Sequence, residues 1–125
     1  LMGECEGVDT FAKEFFRARG VRGVQLHASW DEQGPQAGPI RNSRLVACAL
    51  SVRAKTNTPA HCLAIWDGQS DGTADALRKA LAAELPAEVW IVKGAPPRLA
   101  PMNEVLRLLE AQAERKRKRT THKEP

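Results

Sequence analysis

Long hydrophobic runs are missing from this 125-residue chain. None approaches the roughly 18 apolar residues of a membrane span, so no membrane-spanning helix and no membrane partner are expected. A secretory leader is not read at the start either, where Glu4, Glu6 and Asp9 come early and no basic flank precedes them. Cysteine is scarce: Cys5, Cys48 and Cys62 are odd in number, widely spaced and without a C-x-x-C pair. That excludes a disulfide framework and a zinc site of the usual spacing, and it fits a reducing, cytoplasmic setting with no metal and no cofactor called for. Internal repeats are absent as well.

What is there is ordinary globular composition, 42% hydrophobic and 27% charged, in a length that suits one domain. The formal charge of +4 is unevenly placed. From Gln112 to Pro125 there are six basic residues (Arg115, Lys116, Arg117, Lys118, Arg119, Lys123) against Glu114 and Glu124, whereas the rest of the chain is balanced. Residues 1–111 therefore read as the globular domain and 112–125 as a basic, disordered or frayed helical tail. Such a run can touch nucleic acid weakly through counterion release. It has no interleaved aromatics on which bases would stack.

Apolar periodicity outlines the elements. Val8, Phe11, Ala12, Phe15 and Phe16 recur at helical spacing, so Val8 to Arg19 reads as an amphipathic helix closed by Gly20. "VQL" (24–26) is a short strand, and "HASWDEQGPQAG" (27–38) a long polar loop. A helix is expected from Pro39, which suits a first helical position, to about Leu50, followed by the connector "VRAKTNTP". "HCLAIWDG" and "EVWIVKG" read as buried strands. Between them Ala74, Leu77, Leu81 and Leu85 mark a helix capped by Asp71 or Thr73. Met102, Val105, Leu106, Leu109 and Ala113 mark a last helix. Apolar strands alternating with helices predict an α/β fold, with a small, mainly parallel sheet covered on both faces and ligands at the carboxyl ends of its strands.

Three segments lead through glycine into a helix: "GECEGVD", "GPQAGPIRN" and "DGQSDGT". Each offers unpaired amides at the positive end of a helix dipole, where an anion gains a few tenths to about 1 kcal/mol. A single turn of this kind is unremarkable in α/β proteins; three in one short chain suggest a shared anion site. Arg41 strengthens the suggestion. It falls in the first turn of the helix expected from Pro39, where a cation adds to the positive end and needs an acid or a ligand phosphate beside it. Asn42 next to it reads as either a ligand contact or a local cap.

These same stretches, from Gly3 to Ala80, resemble the YspA, cpYpsA-related branch of the SLOG superfamily, relatives of the DprA and LOG-type proteins. The branch reads G-x-x-x-G-x-D before a helix, then W-x-x-x-G-x-x-A-G-x-x-R-N, then a strand entering G-x-x-x-G-T-A-D. The resemblance implies a Rossmann-like three-layer sandwich that binds nucleotides or nucleotide-derived molecules. It carries ligand contacts onto Gly3, Gly7 and Asp9, onto Gly38, Arg41 and Asn42, and onto Gly68, Gly72 and Thr73. It leaves Asp9 as helix cap or ribose acceptor, and Trp30 as base-stacking platform or packing anchor. It also implies a strand, glycine turn and helix ahead of Gly3 that nothing in the chain matches, so the sheet is expected to be incomplete at its amino end.

The LOG-type phosphoribohydrolases carry P-G-G-x-G-T-x-x-E, with a catalytic glutamate. Here Trp66 stands at the proline position and Ala76 at that glutamate. Asp75, one residue earlier, is turned about 100° around the helix and suits an ion pair with Lys79. The leading expectation is therefore binding or sensing of a phosphorylated, nucleotide-like small molecule. A hydrolase cutting an N-glycosidic or phosphate bond is the alternative, with Asp75, Asp71 and Asp9 as its candidate carboxylates and His27 near the loop. His61 and His122 read as a strand-edge residue and a tail residue. A nucleic-acid-binding protein working through the tail is a third reading, and a homo-oligomer is compatible with each.

Overall fold

The computed structural model describes residues 8–20, 23, 26–94 and 96–123, with backbone alone at 8–11 and 122–123. The helices are α1 (Val8–Ala18), α2 (Trp30–Gln33), α3 (Ala37–Thr56), α4 (Asp71–Ala82) and α5 (Met102–Lys123). Three strands, β1 (Cys62–Trp66), β2 (Ala87–Ile91) and β3 (Arg98–Ala100), lie side by side in that order. β1 and β2 are parallel, with Ala64 opposite Val89 and Trp66 opposite Ile91, and α4 makes the crossover between them. β3 returns antiparallel beside β2, Ala100 opposite Val89. The sheet is thus mixed, where a mainly parallel one is expected from the sequence. A three-residue strand set among Pro96, Pro97 and Pro101 carries no periodic signal, and proline is tolerated at such an edge.

Strand alternation puts Ala64, Trp66, Val89, Ile91 and Ala100 on one face, where they pack with Ala74 and Leu77 of α4 and Val105 and Leu109 of α5. The other face is a correction to the expected sandwich. Leu63 and Leu99 are 60% and 54% exposed, and Ile65 is exposed beside them, so among the described residues helices cover one side of the sheet only. The continuous apolar run of β1 suggests a strand buried on both sides; half of that run faces outward here.

The helix boundaries differ in instructive ways. Residues 27–38 are not one loop: α2 leads through a 3-10 turn (Gly34–Gln36) straight into α3. Helix α3 therefore starts at Ala37, not Pro39, and Ala37 N–H already donates to the Gly34 carbonyl. At its far end it runs past Leu50 to Thr56, where Asn57 closes it in the left-handed conformation. Helix α4 has Ser70 at its cap position, so Asp71 and Thr73 both lie inside the first turn. Leu85 is buried but not helical. Glu84 takes a left-handed φ of 58°, and the amides of Glu84 and Leu85 bond back to the carbonyls of Leu81 and Ala80, which turns the chain toward β2. The predicted strand "VQL" falls mostly outside the described residues, and its Leu26 is irregular.

Basic residues from 112 onward continue α5 without a break to Lys123. Gln112 is only 1% exposed, and its amide is fully used. Its Nε2 donates to Asp71 Oδ1 at 2.7 Å while its Oε1 accepts from Arg78 Nη2 at 2.6 Å. One turn further, Arg115 donates to the Gly68 carbonyl at 3.2 Å, and Arg119 pairs with Asp71 at 2.9 Å. The first turns of this segment are thereby fastened to the start of α4.

Candidate functional site

Arg41 is the least ordinary residue of the described structure. It sits in the second turn of α3, two positions further in than a helix from Pro39 would put it, and is 7% exposed. Its Nε donates to Asn42 Oδ1 at 3.0 Å. Its Nη1 is buried with no hydrogen-bond partner, and none of the ion pairs among the described residues includes it. A buried donor left unpaired costs about 1–3 kcal/mol, more when charged.

Asn42 joins this guanidinium to α4. Its Nδ2 donates to the Gly72 carbonyl at 3.2 Å and to Asp75 Oδ2 at 3.1 Å. Lys79 Nζ reaches the same Asp75 oxygen at 2.8 Å and the Pro39 carbonyl at 2.6 Å. The Asp75–Lys79 pair is the one its spacing predicts. It makes Asp75 a strut between α3 and α4.

Trp30 completes one side of the cluster. A Cβ added to Gly38 would meet its indole at 3.0 Å, so glycine lets the ring lie close here and is not called for by an unusual backbone angle. The ring is 55% exposed all the same. Gly38 and Arg41 are three residues apart and hence one turn apart on the same side of α3. The indole is therefore a packing contact for α3 that keeps much of its surface in solvent.

The turn before α4 is held together by its own side chains. Trp66 is 1% exposed and donates from Nε1 to the Ser70 carbonyl at 3.1 Å, which anchors the turn from inside. The Asp67 carboxylate accepts from the Gln69 and Ser70 amides at 2.8 and 2.7 Å and from the Ser70 hydroxyl at 3.0 Å. Partial burial pushes this carboxyl up, but the two amides and the hydroxyl outweigh it and hold it below the usual carboxylate range. The Gln69 and Ser70 amides are thus occupied by the chain's own acid. Gly68 has a φ of +82°, the left-handed region that favours glycine. It lines a cavity of about 300 Å³ at the carboxyl ends of β1 and β2.

Of the other expected residues, Gly3 and Gly7 lie outside the described residues, as does the side chain of Asp9, which belongs to α1. Thr73 is half-buried in the first turn of α4, next to Gly72. Asp71 is engaged by Gln112 and then by Arg119, which together hold its carboxyl below the usual range. Trp30, Gly38, Arg41, Asn42, Gly72 and Asp75 are thus brought together, while Gly68 belongs to the neighbouring cavity. Sequence reasoning missed Trp66 as the anchor of the turn and Gln112 as the link between helices. Neither carries a local signal: one ends an apolar run, the other opens a basic stretch.

These observations define a small mixed α/β domain with a polar, incompletely paired cluster between two helices at one side of its sheet. No protein-family model, no curated protein and no solved structure matches the chain.

Proposed function

We propose that this chain binds a phosphorylated, nucleotide-like small molecule, with Arg41 taking the phosphate and Trp30 offering a stacking face for the base. The observation that carries the reading is the buried Arg41 guanidinium with its unpartnered Nη1. Asn42 fixes its direction, and the half-exposed indole over Gly38 lies one turn away. The resemblance of "WDEQGPQAGPIRN" to a nucleotide-binding motif adds weight from an independent side. Binding without cleavage is favoured because Asp71 and Asp75 are each held in an ion pair, and Ala76 offers no acid or base.

Thermal-shift screening of the whole chain against nucleoside mono- and diphosphates and ADP-ribose tests the reading. A ligand at a hundredfold excess over its Kd raises stability by about 2.7 kcal/mol. The shift is expected for the parent and not for Arg41→Met. Equal shifts in both, or none with any phosphorylated nucleoside, count against it.

A further inference from the structure

The cavity at the carboxyl ends of β1 and β2 is separate from Arg41 in its lining and unexplained by the reading above. Its charges do not balance. Three cations line it, Lys93, Arg98 and Arg115, together with two carboxylates, Asp67 and Glu104. Glu104 is taken by the Arg98 guanidinium through both oxygens, so that pair cancels. Asp67 keeps its charge, but its Oδ1 accepts from the Gln69 and Ser70 amides and it forms no ion pair with a cation of the cavity. Arg115 donates only to a neutral carbonyl, that of Gly68, and Lys93 has no ion-pair partner among the described residues. Two cations outside any ion pair thus share a cavity that Ile91 and Leu108 line with apolar surface, and the lining as a whole keeps one excess positive charge.

We infer that this cavity is a second small-molecule site, taking a phosphate monoester whose dianionic head meets Lys93 and Arg115 and whose body lies on Ile91 and Leu108. A phosphate head carries several oxygens and can meet both unpaired cations at once, which a single carboxylate does less readily. Guanidinium and ammonium together suit a tetrahedral phosphate, the first by its fork of donors and the second as a point charge. The volume is at the small end of the range for ligand sites, about 300–1,000 Å³, which favours a compact ester over a dinucleotide. The position is also the one where α/β sheets bind ligands, at the open ends of parallel strands. The head is held by side chains, not by the turn amides, because Asp67 already occupies those.

Phenyl phosphate is a suitable probe, with phenol as its uncharged counterpart, added to the isotope-labelled full chain at constant ionic strength and followed by amide chemical shifts. Saturable shifts at Gly68, Lys93 and Leu108 are expected with phenyl phosphate, and binding about tenfold or more weaker in the Lys93→Gln/Arg115→Gln double variant. Lys93→Gln alone, at an exposed position that holds nothing in place, is expected to keep the parent's spectrum and to weaken binding by a few-fold. Arg41→Met is expected to leave the binding unchanged, which separates this site from the nucleotide site. The inference is overturned if phenol binds as well as its phosphate, if the double variant binds like the parent, or if Arg41→Met abolishes the shifts.

Discussion

Replacing Arg41 with methionine separates a ligand contact from a structural cation, and the structure sets the sizes. Removing the guanidinium relieves a buried Nη1 without a partner, worth about 1–3 kcal/mol in favour of the variant. It also deletes the Nε bond to Asn42, a charge-assisted contact worth about 1.5–3 kcal/mol. The two terms nearly cancel, and methionine refills much of the volume with an adaptable side chain. Stability is therefore expected to stay within about 1.5 kcal/mol of the parent. At about 4 °C per kcal/mol for a domain of this size, the midpoint moves by less than about 6 °C. Breaking a complete buried ion pair would cost about 3–5 kcal/mol instead, because the orphaned partner stays buried. Denaturant unfolding of both proteins without ligand gives the difference directly. A loss of 3 kcal/mol or more would refute the reasoning, since it would mean that the guanidinium already has the partner an anion is proposed to supply.

Other substitutions test the surroundings. Trp66→Ala removes the buried anchor of the turn and its bond to Ser70, and is expected to cost about 3–5 kcal/mol in chemical denaturation. Gly38→Ala brings a methyl against the Trp30 indole; because that ring is half-exposed and can yield, the expected cost is about 1 kcal/mol, with a displaced indole N–H resonance. Asp71 has a carboxyl held below its usual range by Gln112 and Arg119, so its contribution is present above the unfolded pKa near 4 and is lost as pH falls through the depressed folded value. Asp71→Asn should flatten that part of the acid limb below about pH 4 and leave the neutral-to-alkaline side of the stability curve unchanged in shape.

How far the sequence could be read depended on where the signal lives. The helical stripe of Ala74 and Leu77 and the strand runs around Ala64 and Val89 are local patterns, and those elements form where the patterns predict. Helix α2 and the 3-10 turn were illegible because glycine, proline and polar residues dominate 27–38, and the ring of Trp30 packing on Gly38 is a tertiary event. β3 is too short for periodicity. At the site, Arg41 stands out in sequence as a cation at the wrong end of a helix, and Asn42 travels with it. What no spacing rule reveals is that Asn42 points back across to Gly72 and Asp75, thirty and thirty-three residues away. The fate of the glycine turn was equally hidden: Asp67 looks like one more turn residue until its carboxylate is seen on two amides.

That carboxylate gives the turn a resident competitor. It is tethered within three residues of the amides it accepts from, so its effective concentration there stays high whatever the solution holds. Free anions meet those amides only by displacing a group that cannot diffuse away. The shape of the turn is thus set from within the chain, by a side chain that belongs to the turn itself.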